Sequence, residues 1–225
     1  MNNEKYSRTI GLIGKDSFEE LQNMKILLVG LGGVGGTAFE ALLRIGFKNF
    51  TIVDLDKVAL SNLNRQILYV MDNIGENKVD AAKRKALSIE PEVKIETYAG
   101  DIRDFKIKYR YDMVIDCIDN VEAKIDLISR SVDFGLPIIT SMGMANKLDP
   151  SQIKVDTLNR SSVDPLAKKV RYLLKQKGID ISRINCVYSP EVPTKGEYSL
   201  NSLITVTSTA GLYIANYVLS FLKRK

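Results

Sequence analysis

The 225-residue chain has no histidine and no tryptophan, and its two cysteines, Cys117 and Cys186, lie far apart. With so few soft ligands it cannot supply a tetrahedral structural zinc site. The missing His also removes the commonest general base and the Ser–His and Cys–His nucleophile pairs, so acid–base work falls to Asp, Glu, Lys, Tyr or the substrate itself. Both cysteines sit in segments that read as buried or nearly so, and no secretory signal precedes the fold. A disulfide framework is therefore not expected, and a reducing cytoplasm is the expected compartment. Long apolar runs are scarce as well. The stretch from Leu203 to Leu222 is fairly apolar, but Asn216 and five Ser or Thr side chains interrupt it. It is expected to form a strand at ITVT and then a core helix, rather than a membrane span. Charge is only mildly one-sided: 32 Lys and Arg against 27 Asp and Glu give +5, a weak bias toward anionic partners such as nucleotides or RNA.

What is present is a strand–turn–helix cadence. KILLVG (25 to 30) is an apolar run ending in a glycine loop, followed by a helix to about Arg44 that Gly46 can terminate. NFTIVDLD is a second strand. Asp72 or Asn73 can cap a helix running to about Ser88, and VKIETY (93 to 98) is a third strand. YDMVIDCID, a helix from Val121 to Phe134, and PIITSMG complete the run. This pattern predicts a Rossmann-like α/β fold with a doubly wound, mostly parallel sheet, its glycine loop at the carboxyl end of the first strand where such sheets bind ligands. After Gly143 the cadence breaks. QIKVDTL reads as a strand in a C-terminal antiparallel extension, and DPLAKKVRYLLKQKG as a helix with Asp164 at its N-cap and Pro165 in its first turn. SPEVPTKGEYSLNS (189 to 202) reads as a mobile loop. Residues 1 to 225 are expected to form one domain, with 145 to 225 as its substrate-facing extension.

The loop VGLGGVGG spaces Gly30, Gly32 and Gly35 as phosphate-binding turns do, since glycine lets backbone N–H groups approach phosphate oxygens at a helix N-terminus. No Gly-Lys-Ser/Thr follows, which excludes a Walker loop. Asp54 ends the second strand, nineteen residues after Gly35, where a carboxylate can hold ribose hydroxyls. To this point a nicotinamide dehydrogenase, a methyltransferase and an adenylating enzyme remain open. The next stretch, DLDKVALSNLNRQ, is dense in Asn and Arg; a dehydrogenase has no need of them, whereas a triphosphate needs cationic forks and amide donors. GENK (75 to 78) then sets Lys78 in the first turn of a helix.

RTIGLIG from Arg8, GLGGVG, DLDKVALSNLNRQ, GENK and DCIDN together resemble the ThiF/MoeB/HesA superfamily of ubiquitin-activating-like adenylating enzymes. The resemblance implies ATP and Mg2+ as cofactors. It places Gly33 against the nucleotide phosphates, Asp54 on the ribose, Asn62, Arg65 and Lys78 on the triphosphate, and Asp119 on the metal. It further implies that Arg8 reaches into the neighbouring subunit's site, so that the active unit is a homodimer. Asp116, by contrast, reads as a strand-end cap.

Members that activate ubiquitin-like sulfur carriers typically carry two CxxC pairs and a catalytic Cys, and this chain has no CxxC. KLDPSQIKVDTLNRSSVDPLAKKVRYLLKQKGI (147 to 179) and INCVYSPE (184 to 191) instead resemble the tRNA threonylcarbamoyladenosine dehydratase branch. That likeness implies ATP-dependent cyclisation of threonylcarbamoyladenosine in tRNA, with no DNA partner. It leaves room for a sulfur-relay protein and a monovalent cation. Lys168, Lys169, Arg171 and Lys175, opposite the apolar face of their helix, become candidate tRNA phosphate contacts. Cys186, read as the one cysteine outside the sheet, is weighed as a small buried hydrophobe against a thiol nucleophile, and the first is favoured. The alternatives are an activator of a sulfur carrier, a non-catalytic nucleotide-binding scaffold and an NAD oxidoreductase.

Overall fold

The computed structural model describes residues 4–107, 111–194 and 200–222. Two short helices, α1 (Ser7–Ile13) and α2 (Lys15–Asn23), precede the first strand. The parallel core then alternates β1 (Lys25–Val29), α3 (Gly33–Ile45), β2 (Asn49–Asp54), α4 (Lys78–Ile89), β3 (Lys94–Ala99), β4 (Met113–Asp116), α5 (Val121–Asp133) and β5 (Ile138–Ser141). After it come β6 (Lys154–Thr157), α6 (Pro165–Gln176), β7 (Asn185–Tyr188) and α7 (Ile204–Leu222).

These strands form one seven-stranded sheet in the order β3-β2-β1-β4-β5-β7-β6, parallel except for the β6–β7 pair. Chain direction away from β1 reverses between β2 and β4, so the crevice beyond the carboxyl ends of β1 and β4 is the topological switch point. Side chains alternate across the sheet. Ile26 and Leu28 pack with α2, α3, α4 and α7 on one face, and Leu27 and Val29 with α5 and α6 on the other. Among the described residues no helix is long and apolar enough to cross a membrane.

Three sequence expectations are corrected. ITVT is not a strand: Ile204 begins α7, whose Val206, Thr207, Ala210 and Gly211 are buried at helical spacing. The β-branched run favours a strand locally, but packing against α3 overrides it. The helix expected from Asp72 or Asn73 starts later; Met71–Asn73 is a single 3-10 turn, and Asn77 precedes α4 at Lys78. Cys186 lies within the sheet, on β7 between β5 and β6, not outside it. In the 189–202 segment, read as a mobile loop, Thr194 N donates to the Asn146 carbonyl and Asn201 N to Asn146 Oδ1. Residues 195–199 of that segment, and the basic tail 223–225, lie outside the described residues.

The N-terminus is anchored at the far end of the sheet. Glu90, fully buried just beyond α4, accepts from Tyr6 Oη at 2.5 Å and pairs with Lys5 at 3.1 Å. Burial pushes the Glu90 carboxyl up, but the bonds from Tyr6 and Lys5 outweigh it and hold the group below its ordinary 4.5. The folded value is the depressed one, so the contribution is whole above the ordinary value and is lost as pH falls through the folded value. Melting temperature followed from about pH 6 to about pH 3 should therefore fall less steeply in Glu90→Gln than in the unaltered chain; identical slopes would show that this group does not carry the acid limb.

Candidate nucleotide site

The floor of the crevice is the β1–α3 turn. Gly30 adopts φ +92°, and a Cβ there would stand 2.6 Å from the Cys117 carbonyl oxygen, which brings the turns after β1 and β4 into contact. A Cβ on Gly35 would fall 1.8 Å from the Gly30 oxygen. On Gly33 it would meet Thr207 Oγ1 at 2.8 Å and the Arg65 carbonyl at 3.2 Å, whereas on Gly32 the nearest atom is Gln66 Nε2 at 4.0 Å. Thus the glycine whose missing side chain leaves space is Gly32, while Gly30, Gly33 and Gly35 are required by packing. Gly35→Ala should abolish recovery of soluble protein, while Gly32→Ala should leave the melting temperature unchanged. Equal melting curves for the two variants would contradict this reading of the turn. The first turn of α3 has no capping side chain, so its backbone N–H groups face the crevice as an anion-binding end.

One wall is carboxylate and lysine. Asp54, at the end of β2 and 8% exposed, accepts from Leu31 N at 2.6 Å and Asp56 N at 2.8 Å. Burial raises its carboxyl above the ordinary value, opposed by the Lys78 charge and these two N–H bonds. A carboxylate has lone pairs beyond the two used here, so Asp54 can still accept hydroxyls. Lys78, in the first position of α4, is itself buried, with its ammonium 2.7 Å from Asp56 Oδ2 and 4.0 Å from Asp54 Oδ1. Asp56 thus partners Lys78, a role the sequence reading did not assign.

A second wall is the 60–66 segment, held by an antiparallel bridge between Lys57 and Asn77. Asn62 Oδ1 accepts from Ala59 N at 3.0 Å, leaving its amide nitrogen without a partner among the described residues. Arg65 Nη1 bonds the Ser61 carbonyl and Asn64 Oδ1, each at 2.9 Å, which folds the guanidinium over its own turn. Gln66 is buried beside Gly32, and its Oε1 has no hydrogen-bond partner. A buried acceptor left open beside an uncapped helix end is what a bound polar ligand would complete.

The third wall follows β4. Asp116 and Lys124 are both fully buried and 2.7 Å apart; Lys124 also donates to Thr140 Oγ1 and the Ser141 carbonyl. Ile118 N and Thr140 Oγ1 donate to Asp116. Asp116 is therefore saturated and structural, as expected of a strand-end cap. Lys124 was not singled out in the sequence, where one lysine on an amphipathic helix reads as surface. Asp119, three residues on, is exposed and makes no bond among the described residues. No group of three or more potential His, Cys, Asp or Glu ligands occurs among the described residues. One free carboxylate fits Mg2+ carried by nucleotide phosphates, which needs only one or two protein ligands, and does not fit an all-protein cage.

The remaining candidates lie apart. Arg8 is exposed on α1, two residues from Tyr6 at the Glu90 end of α4. Lys78 stands at the opposite end of that helix, roughly 18 Å away at 1.5 Å per residue. Within its own chain Arg8 is not part of the crevice. Lys168, Lys169 and Lys175 are exposed on α6, whereas Arg171 turns back to the carbonyl and hydroxyl of Ser161. Cys186 is fully buried; burial foremost, then Asp156 and Asp164, pushes its thiol up to about 12. The Cys117 thiol is pushed up too, by desolvation and then by Asp116. Neither cysteine is poised as a thiolate at neutral pH.

α7 braces this site. A Cβ on Gly211 would stand 2.4 Å from the Val34 carbonyl, and Ser208 Oγ lies 3.0 Å from Thr37 Oγ1. Ser202, just ahead of α7, accepts from Asn64 Nδ2 at 3.2 Å. The small residues of α7 thus let it approach the first turn of α3.

Comparison with known proteins places the chain among its relatives. The chain is 35% identical over 192 residues to the tRNA threonylcarbamoyladenosine dehydratase of Bacillus subtilis, covering 84% of this chain and 75% of that protein. It is 35% identical over 190 residues to tRNA threonylcarbamoyladenosine dehydratase 2 of Saccharomyces cerevisiae, covering 82% of this chain but only 42% of the yeast protein. The crystal structure of the Escherichia coli tRNA N6-threonylcarbamoyladenosine dehydratase, TcdA, in complex with ATP superposes with a TM-score of 0.92 at 30% identity, covering 99% of this chain and 95% of that one. Residues 6–225 match the ThiF family, and the chain belongs to that family.

Proposed function

We propose that the protein is an ATP-dependent tRNA threonylcarbamoyladenosine dehydratase. The observation that carries this reading is the packing around an uncapped glycine turn: the Arg65 carbonyl lies against Gly33, the Cys117–Ile118 backbone against Gly30, and Asp54, 4.0 Å from the Lys78 ammonium, accepts from Leu31 N. The threonyl carboxylate attacks the α-phosphate of ATP and pyrophosphate leaves. The carbamoyl group of the same modified base then attacks the acyl adenylate, closing a five-membered ring and releasing AMP; the net change is loss of one water.

Because the nucleophile is already tethered beside the activated carbonyl, closure has a large proximity advantage, and a site without His suffices. The protein's work is electrostatic. The N–H groups of the α3 turn hold phosphate oxygens, Asp54 accepts the ribose hydroxyls, and Asn62, Arg65 and Lys78 neutralise charge gathering on the phosphates. Lys78 can exchange its Asp56 contact for a phosphate contact without leaving the wall. Mg2+, borne by the phosphates and ligated by Asp119, would supply Lewis-acid charge neutralisation there.

Arg8, remote from the crevice of its own chain, acts on a partner's site in a homodimer. Residues 1–225 work as one adenylating unit in the cytoplasm, with 145–225 facing tRNA; Lys168, Lys169 and Lys175 contact phosphate, and Arg171 holds the Ser161 turn. A monovalent cation and a sulfur-relay protein are further components of this reading, and DNA is not. The alternative, activation of a ubiquitin-like sulfur carrier, is disfavoured by the absence of any CxxC pair from the sequence. Pyrophosphate release separates the two. The dehydratase reading expects it with modified tRNA and not with a carrier ending in Gly-Gly; the opposite pattern would replace it.

A further inference from the structure

The outward face of α6 carries an aromatic ring among its cations. Ala167, Val170 and Leu174 bury the inner face, while Tyr172 is 61% exposed, far more than packing requires of a tyrosine. At 3.6 residues per turn, Lys168, Lys169, Tyr172, Lys175 and Gln176 fall within about a third of the helix circumference, opposite the buried stripe. Gln176 Nε2 donates to Tyr172 Oη at 2.7 Å, which holds the ring against the helix with one side open. Lys168, Lys169 and Lys175 have no ion pair among the described residues. Two acids of α5, which packs against α6, are matched: Glu122 lies 3.4 Å from Arg103, and Asp126 lies 2.7 Å from Arg130, while the third, Asp133, is exposed in the last position of α5. The face is cationic because α6 itself, Pro165–Gln176, contains no acidic residue.

It also starts at the right end of the sheet. The α6 N-cap, Asp164, is 3.1 Å from Lys147 Nζ, and the same ammonium donates to the Ser189 carbonyl just beyond the carboxyl end of β7. Helix α6 thus begins on the side of the sheet where the nucleotide crevice opens, and Tyr172 stands about 12 Å along its axis from the N-cap.

We propose that this face is an RNA-binding surface on which Tyr172 stacks against an unpaired base of the tRNA while Lys168, Lys169 and Lys175 contact its phosphates. The proposal rests on the dehydratase reading and extends it to a base contact. Single-stranded nucleic acid is held by this pairing of a positive track with an aromatic platform, and anionic RNA complements the positive charge of the α6 face.

The test is tRNA affinity of the full chain as a function of salt, with ATP binding measured alongside. Tyr172→Ala should weaken tRNA binding roughly 5- to 150-fold with an unchanged slope of log Kd against log salt, and Tyr172→Phe should restore it. Lys168→Glu with Lys169→Glu should weaken binding and reduce the slope. Since the chain has no tryptophan, Tyr172→Trp installs a unique reporter whose emission stacking should quench at saturating tRNA. Full affinity in Tyr172→Ala, or unchanged emission in Tyr172→Trp, would overturn the proposal. So would a shift in oligomeric state with tRNA affinity intact, which would assign the face to a second copy. If the unaltered chain binds ATP but no tRNA, the dehydratase reading itself falls.

Discussion

Arg65→Ala and Asp119→Ala should each lower ATP-dependent cyclisation by roughly 10²- to 10³-fold, the loss typical of removing one preorganised charge-stabilising group, while the melting temperature stays that of the unaltered protein. The split between activity and stability follows from placement. Asp119 is exposed and unbonded among the described residues, and the guanidinium of Arg65 bonds only its own turn, to Ser61 and Asn64. Neither side chain holds two elements together. Turnover with modified tRNA and a thermal melt on the same preparation check this. A collapse of folding in either variant would make that residue structural and remove it from the site.

The buried Asp116–Lys124 pair should behave in the opposite way. Both side chains are fully buried, and Lys124 ties β4 to β5 through Asp116, Thr140 and the Ser141 carbonyl. Lys124→Met strands a carboxylate in the core, which costs about 3–5 kcal/mol, or roughly 6–20 °C of melting temperature for a chain of this size. Replacing Asp116 by Leu in the same chain removes the stranded charge and should recover part of the loss, as the double-mutant comparison isolates the pair. A drop of less than a few degrees in Lys124→Met would mean that water or a neighbouring group compensates Asp116.

The contrast explains what the sequence made legible. β1 to β5 were readable because each is a short apolar run set between turn residues, and their order along the chain dictates a parallel sheet. Asn62 and Arg65 stood out as candidates because they are polar at sites where a mere turn has no need of Asn or Arg. Local patterning misled at α7: ITVT has strand propensity, and only contact with Gly33, Val34 and Thr37 of α3 makes it helix. β7 is four residues long and gains its identity from pairing with β5 and β6, which no local window contains. Lys124 and Lys147 look like surface lysines until the strand ends and carbonyls that receive them are in place. Asp56 was visible as a polar residue, but its partnership with Lys78 depends on the 57–77 bridge closing the excursion. The sequence does not show that a side chain on Gly33 would collide with Thr207 and the Arg65 carbonyl, because both contacts come from distant parts of the chain.

The central claim is that the glycine turn and its three walls activate a carboxylate already attached to tRNA. The most direct measurement is to incubate the protein with ATP, Mg2+ and tRNA carrying threonylcarbamoyladenosine, digest the tRNA, and weigh the modified nucleoside. The account predicts a nucleoside lighter by one water, with one pyrophosphate and one AMP formed for each ring closed. An unchanged nucleoside mass with ATP consumed would contradict it.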